Sequence, residues 1–474
     1  MAEYPPRRRQ RKNNSRPVLI LIAVLCIALA GLVAVAVYLG NANPPENPTN
    51  PTTSSVVTDP STQPTTSVPP TTTEPPVVKE ASATFSAVGD MLMHMPVVNT
   101  GRNGSTGEYN FDSIFRYFSD YVQSADFAAG NLETTLAGSD FKHYNGNIGY
   151  SGYPQFNCPD EIIDGMKTAG FDMVLTANNH SYDTQTIGLH RTVQTILDRN
   201  LQVLGTKPTP ETPNFVIVER NGIEVALSCY TYEDISSPDQ KGPNGHLMTA
   251  EDAPLINSFD YANLPLFYAE IESNLAQMEE AGADAYILFL HWGYEYHTVQ
   301  NATQSAMAQA LCDLGVDVIV GGHPHVVQPV ELLTSTKDET QKTVCLYSMG
   351  NAVSNQRLGN LSNVSTAHTE DGVMFSVTFS RYSDGTVILE RAEVLPTWVK
   401  LGTNQHSGRW EYNILPLDKG IEDWKTQFGL SDTHLANAEA SYERTMAIVG
   451  EGLTAVNTYL STHVAEVEQL LGVA

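Results

Sequence analysis

An α/β fold is the class this sequence predicts, and three observations carry the prediction. From Ala81 onward, apolar runs of strand length alternate with segments of helical period. Most of those early runs stop at a short cluster of Gly, Asp, Glu, Asn or His. Two hairpin signatures follow, Asn221-Gly222 and Ser383-Asp384-Gly385, each between β-rich segments. Early strand–helix alternation with later hairpins predicts a mixed sheet, or two stacked sheets, flanked by helices.

The elements follow in order. Ala83–Val88 reads as a strand ending at Gly89-Asp90, and Phe111–Gln123 has helical period. Asp126–Ala129 is a short strand that stops at Gly130-Asn131. Glu161–Ala169 predicts a helix, and Phe171–Thr176 a strand that leads into Asn178-Asn179-His180. Thr186–Arg199 predicts the next helix, and Asn214–Arg220 with Glu224–Tyr230 the first hairpin. Helix Tyr268–Ala281 precedes strand Ala285–Leu290, which ends at His291. Helix Ala306–Leu314 precedes strand Val316–Val320, which ends at Gly321-Gly322-His323. Thr343–Tyr347 leads toward Asn351, and Val373–Ser380 pairs with Thr386–Val394 as the second hairpin. Residues from about Ser431 to Leu471 predict an acidic helix that packs on the domain or mediates association.

The N-terminus reads differently. Arg7, Arg8, Arg9, Arg11, Lys12 and Arg16 precede an uncharged apolar run, residues 17–40. That run is long enough to span a bilayer, which takes about 20 helical residues. It exceeds the roughly 7–15 apolar residues of a cleaved signal peptide. The basic flank places residues 1–16 in the cytoplasm and everything after the span outside the cell. Residues 41–80 are dominated by Pro, Thr, Ser and Asn and read as a disordered, extended linker. In polyproline-like form it reaches roughly 120 Å. The expected organisation is therefore a tail (1–16), an anchor (17–40), a linker (41–80), a domain (81–400) and a helical extension (401–474).

Charge excludes one class of partner. The formal net charge is −27 over 474 residues. Residues 1–80 hold seven Lys/Arg and five Asp/Glu, which leaves 19 basic against 48 acidic residues in the remainder. Nucleic-acid binding needs a basic footprint, which this body lacks. Of five cysteines, Cys26 lies in the apolar run. Cys158, Cys229, Cys312 and Cys345 are widely spaced and read as buried thiols, with one disulfide left open.

The clusters carry the chemistry. Strand ends that converge carboxylates, amides and imidazoles assemble a dinuclear metal site from distant sequence. In Gly321-Gly322-His323-Pro324-His325, the glycines permit a tight turn and Pro324 fixes the backbone, so His323 and His325 face one site. His291 follows a buried strand and precedes Trp292-Gly293. Asn179 offers a hard amide oxygen, His180 an acid, and Asp183 a group to orient it. Asp90 and Glu133 are the carboxylates, and one carboxylate can bridge two ions. The competing readings are plain: helix capping for Asp90 and Glu133, turn formation for the asparagines, core capping for His291. No P-loop and no Gly-x-Ser-x-Gly elbow is present.

Ala87-Val88-Gly89-Asp90, Asn131-Leu132-Glu133-Thr134, Asn178-Asn179-His180-Ser181-Tyr182-Asp183, Leu290-His291-Trp292-Gly293, His323-Pro324-His325-Val326-Val327-Gln328-Pro329 and Tyr347-Ser348-Met349-Gly350-Asn351 together resemble the CapA family. These are capsule and poly-γ-glutamate synthesis proteins related to calcineurin-like metallophosphoesterases. The resemblance spans about residues 83–395, in order. It implies a four-layer α-β-β-α sandwich. It implies two divalent metal ions, Mn, Zn or Fe, held by Asp90, Glu133, Asn179, His291, His323 and His325, with His180 as the catalytic histidine. Glu133 stands where the wider metallophosphoesterase pattern has Asp, and the usual Asp-x-His is absent, since His94 lies four residues after Asp90. The implied role is synthesis, export or attachment of an anionic polymer such as poly-γ-glutamate. The implied setting is the cell membrane, with synthase subunits as partners and the domain outside. A hydrolase of phosphoesters or γ-glutamyl amides, a non-catalytic synthase scaffold and a cell-wall phosphoesterase all remain open. The Phe141–Asn157 loop, with Lys142, His143, Tyr144, Tyr150 and Tyr153, is the expected substrate rim.

Overall fold

In the strand Ala285–His291, alternate residues enter two different cores. Ala285, Ile287 and Phe289 face one, while Tyr286, Leu288 and Leu290 face another. A strand buried on both faces needs a layer above and a layer below. This is the pattern of a sheet sandwiched between a second sheet and a helical layer.

The structure, a computed structural model, describes residues 76–237, 240–360, 365–404 and 407–473. The chain begins with β1 (Lys79–Met91), α1 (Met95–Gly101), α2 (Asp112–Phe115), α3 (Ser119–Ser124) and β2 (Phe127–Leu132). Next come α4 (Glu161–Ala169), β3 (Met173–Leu175), α5 (Gln185–Asp198) and β4 (Gln202–Leu204). The middle holds β5 (Phe215–Arg220), β6 (Ile223–Glu233), the small pair β7 (Ile235–Ser237) and β8 (Gln240–Gly242), and β9 (Ser258–Asp260). It continues through α6 (Leu264–Glu280), β10 (Ala285–His291), α7 (Ala302–Cys312), β11 (Val318–Gly322), β12 (Val330–Thr334) and β13 (Lys342–Leu346). The chain closes with β14 (Asn351–Val353), β15 (Asp371–Tyr382), β16 (Val387–Thr403), β17 (Trp410–Pro416), α8 (Trp424–Phe428) and α9 (Asp432–Leu471).

Two large sheets result. The first runs β17-β16-β15-β1-β2-β3-β4, with β14 also on β1. The second runs β12-β13-β11-β10-β6-β5, with β9 on β6. Phe85, Ala87, Phe127 and Ala129 of the first sheet meet Leu227, Ile287, Phe289 and Val320 of the second in the central core. The outer face of the first sheet packs on Val97, Ile114, Ile163 and Met166 of α1, α2 and α4. The outer face of the second packs on Phe267, Ile271, Met307 and Leu311 of α6 and α7. The four layers expected from the sequence are therefore present.

The C-terminal segment departs from expectation. The boundary expected at residue 400 falls inside β16, and β17 completes the edge of the first sheet. Lys400 keeps its place in that strand because its ammonium donates to Asn413 Oδ1 at 2.9 Å. Helix α9 sends Val449, Val456 and Leu460 into the central core. A Cβ added to Gly452 would lie 1.9 Å from the Val330 carbonyl oxygen, so glycine lets α9 press onto β12. On the other sheet, Asn457 exchanges hydrogen bonds with the backbone of Ala392, and Arg444 grips Asp371 through two bonds of 2.6 and 2.8 Å. The helix thus ties the two sheets together.

The single helix expected over Phe111–Gln123 is two short ones, because a turn at Arg116–Phe118 lets Phe115 and Phe118 both bury. The four cysteines after the linker are buried and free. No helix among the described residues is long and apolar enough to cross a membrane. The expected tail, anchor and most of the linker lie outside the described residues.

Candidate metal centre

Parallel strands deliver their carboxyl ends to one edge of a sheet, and there the clusters gather. Asp90 is the last residue but one of β1, in register with Asn131 on β2 and Asn351 on β14. Glu133 follows β2, and Asn179 and His180 follow β3. His291 ends β10 beside Gly322 of β11, and His323 and His325 lie in the turn after β11. Gly321 is required there: a Cβ would sit 1.9 Å from the Tyr347 carbonyl oxygen. Strand β1 continues through Met91, and α1 starts only at Met95, so Asp90 caps no helix.

The structure brings these side chains into one buried cluster. Ring centroids lie 4.9 Å apart for His291 and His323, and 6.0 Å apart for His323 and His325. Glu133 is 0% exposed, and neither of its carboxylate oxygens has a hydrogen-bond partner. Around its Oε1 stand His291 Nε2 at 3.5 Å, His325 Nε2 at 3.8 Å and His180 Nε2 at 4.0 Å. His323 Nδ1 also lacks a partner. Two triads qualify as ion-holding groups: Glu133, His291 and His323; and Asp90, Glu133 and His325. They share Glu133. Four ligands held tetrahedrally at 2.0–2.2 Å lie about 3.3–3.6 Å from one another, so the nitrogens around Glu133 stand near the spacing an ion imposes. Orphaned buried acceptors and a mixed N/O donor set make this a cluster that fits a divalent cation.

The surroundings orient each group. Asp90 Oδ1 accepts from Asn131 Nδ2 at 2.7 Å, and Asp90 Oδ2 accepts from the His323 backbone N–H at 3.2 Å. Asn131 Oδ1 accepts from Asn178 Nδ2 at 3.1 Å, and Asn178 Oδ1 accepts from the His180 N–H at 3.1 Å. His291 Nε2 lies 2.8 Å from Asn179 Oδ1. His325 Nδ1 lies 3.2 Å from Asp90 Oδ2 and 3.1 Å from Asn351 Oδ1. Tyr232 packs edge-on against His323, with its hydroxyl 3.4 Å from Nε2.

Electrostatics favour positive charge in the cluster. Burial alone lowers the His325 pKa, but Glu133 and Asp90 overcome it and raise the imidazole to about 9. Burial likewise opposes charge on His180, and Asp183 beside it reverses the balance, so its pKa is raised. Burial would lift Asp90, but the His325 hydrogen bond and nearby imidazoles hold it below its usual range. His323 is pushed well down by burial and by the other histidines.

His180 and Asp183 form a hydrogen-bonded pair, Nδ1 to Oδ2 at 2.7 Å. Three groups fix Asp183: the Phe156 N–H at 2.7 Å on Oδ2, Asn244 Nδ2 at 2.8 Å on Oδ1, and Gln155 on its carbonyl at 3.0 Å. Asn244 was not foreseen from the sequence. It sits in a Pro-Asn-Gly turn whose composition announces only a turn. Asn131 and Asn178 were inside recognised clusters but carried no assigned role.

The expected substrate rim divides. Tyr144 and Tyr153 are exposed, as is Lys142. His143 is not on the rim. It is buried, with Nε2 2.8 Å from the Gly149 carbonyl and Phe141 edge-on against it, so it holds the loop together. The end of the loop does reach the cluster, since Phe156 packs edge-on against His180. His94 belongs to neither triad; its Nδ1 faces the Asn355 N–H at 3.4 Å.

Residues 84–356 match the family model of the bacterial capsule synthesis protein PGA_cap, over half of the chain. The chain belongs to this family. Among its relatives, the capsule biosynthesis protein CapA of Bacillus anthracis is 27% identical over 324 residues, covering 68% of each chain. The PGA biosynthesis protein CapA of Bacillus subtilis (strain 168) is 30% identical over 280 residues, which is 58% of this chain and 63% of that one. The calcineurin-like phosphoesterase YfkN of Bacillus subtilis aligns to 76% of this chain and 100% of its own at 13% identity, with a TM-score of 0.34. That likeness is too slight to decide anything. In this PGA_cap member, Asp90, Glu133, Asn179, His180, His291, His323 and His325 all lie within the matched span.

Proposed function

We propose that this capsule-family protein is a metal-dependent hydrolase acting on an anionic capsule polymer of the poly-γ-glutamate type, at a γ-glutamyl amide or a phosphoester. One observation carries the proposal: the wholly buried Glu133 carboxylate, without a hydrogen bond and ringed by three imidazole nitrogens at 3.5–4.0 Å. A buried charge without hydrogen bonds is costly unless an ion compensates it. Asp90, Glu133, Asn179, His291, His323 and His325 would hold the ions, two of them if both triads load, with Glu133 shared. Bound there, a divalent ion supplies Lewis acidity and lowers the pKa of water to about 7.

The chain's own residues do the rest. Asp183 accepts from His180 Nδ1, which leaves Nε2 turned toward Glu133 and the reacting centre. The raised pKa favours the protonated ring, whose Nε2–H is aimed to serve a leaving alkoxide or amine. Asn244, Gln155 and the Phe156 N–H hold Asp183, so the proton donor keeps one orientation. Tyr144, Tyr153 and Lys142 on the neighbouring loop form the substrate-facing rim. The basic tail and apolar run support a setting outside the cell, tethered to the membrane; polymer-synthase subunits are the proposed neighbours there.

Purified full chain should retain stoichiometric Mn, Zn or Fe and shorten γ-linked polyglutamate or cleave a phosphoester. His180→Ala should keep the metal and lower turnover by about 10²–10⁴-fold. Metal-loaded protein inert toward both substrate classes would overturn the hydrolase reading and leave a scaffold of the synthase.

A further inference from the structure

Every described arginine except two is ion-paired to a carboxylate: Arg116, Arg191, Arg199, Arg220, Arg357, Arg381, Arg391 and Arg444 all have acidic partners. The exceptions are Arg102 and Arg409. In a body with 48 acidic and 19 basic residues, two arginines without acids are a departure from the rule. They are also neighbours. Arg409 Nη2 donates to the Arg102 carbonyl and, at 3.4 Å, to the Thr100 carbonyl.

Arg409 lines a groove of about 850 Å³ together with Asn99, Asn360 and Trp410. Trp410 is 60% exposed there. The inner wall is built: Asn355 Oδ1 accepts from Tyr412 Oη at 2.6 Å and from Asn360 Nδ2 at 3.0 Å. The Asn355 N–H faces His94, four residues beyond Asp90, so the groove backs onto the end of the sheet that carries the metal cluster.

We propose that this groove is a binding subsite for a carboxylate-bearing polymer chain. A guanidinium with free fork positions recognises a carboxylate. An exposed indole beside it supplies a flat apolar face for the aliphatic stem between successive carboxylates. Asn99 and Asn360 offer amide groups to a polyamide backbone. The cluster does the chemistry on one segment while the groove holds another. The choice of polyglutamate as occupant rests on the functional reading above; the anionic character rests on Arg409.

The test is calorimetric binding of a γ-linked glutamate decamer to the purified full chain, with the γ-linked glutamine decamer as neutral control. The wild-type chain should bind the acidic decamer and not the neutral one. Arg409→Gln should weaken binding about tenfold, the worth of one charge-assisted hydrogen bond. Trp410→Ala should weaken it about three- to tenfold. Salt should weaken wild-type binding more steeply than Arg409→Gln binding. Because Arg409 also braces two carbonyls, Trp410→Ala is the second variant: it strips the exposed indole and leaves those braces in place. Equal binding of both decamers, or unchanged affinity in Trp410→Ala, overturns the proposal. His291→Asn separates the two readings. Loss of metal and hydrolysis with unchanged decamer affinity supports the groove as its own site. If the wild type proves inert and metal-free but the groove variants still lose affinity, the hydrolase reading fails and the subsite stands.

Discussion

The two sheets supply one pocket with different chemistry and hold it by different means. The first sheet contributes Asp90, Glu133, Asn179 and His180; the second contributes His291, His323 and His325. On the first, a side-chain relay runs from Asp90 through Asn131 and Asn178 to the His180 backbone. On the second, backbone geometry positions the rings. His323 and His325 adopt φ of +92° and +57°, a left-handed conformation that costs about 1–2 kcal/mol per non-glycine residue. The acidic half is therefore tuned by hydrogen bonds, and the imidazole half by a turn held under strain. Each triad draws residues from both sheets, so the triads exist only while the sheets stay packed.

Breaking the tie between the sheets should have the largest effect. Arg444→Met leaves the buried Asp371 carboxylate with one side-chain hydrogen bond, from Ser441, and with His368 Nδ1 at 3.6 Å. We expect a loss of about 3–5 kcal/mol in unfolding free energy by denaturant titration. A loss within experimental error would mean that α9 does not clasp the first sheet.

Glu133→Gln should come next. It removes the charge shared by both triads, so metal affinity should fall by more than about 100-fold, beyond the usual cost of an outer-shell change. In chelator the variant should also melt lower than wild type, because the Glu133 charge supports the protonated His325 and His180 rings around it. A variant that melts at or above wild type in chelator would show that the cost of burying the carboxylate outweighs those ion pairs.

The different support of the two halves can be measured directly. Asn131→Ala cuts the relay at Asp90 and should cost about 10–100-fold in metal affinity. Tyr232→Phe removes a hydroxyl 3.4 Å from His323 Nε2, a distance at the edge of hydrogen bonding, and should change affinity less than about threefold. Equal effects would erase the proposed asymmetry.

The smallest effect at neutral pH should come from His94→Asn. Burial pushes the His94 pKa down to about 4 from 6.5. The folded state therefore disfavours the charged ring, and stability should be lost as pH falls from about 6.5 to about 4, by roughly 3 kcal/mol in total. Asn keeps a neutral acceptor near Nδ1, so the variant should show a shallower acid slope and little change at pH 7.5. His323, also depressed, leaves part of the slope in place. Parallel acid curves for variant and wild type would refute the assignment to His94.

The sequence made the strand ends legible because each cluster follows a run with a clear period, as at Leu290-His291 and Val320-Gly321. It made α9 legible because its period persists over 40 residues. Short elements were lost. Strand β17 has buried residues on both faces and no alternation to mark it, and β14 spans three residues. His143 was misplaced because a histidine beside tyrosines in a polar loop looks exposed until the Gly149 carbonyl is seen. Asn244 was missed because its partner Asp183 lies 61 residues away, and a contact of that range leaves no local trace.

Helix α9 also sets an order of events during synthesis. Every residue of the cluster is made by His325, more than 100 positions before α9 begins at Asp432. The helix, about 60 Å long, emerges after all of them and is the part that joins β12 to β16. A growing chain therefore holds a full set of ligands before it holds them at working distance. Seating of the cluster waits for this helix, so a chain cut before Asp432 carries the ligands without the clasp that keeps them together.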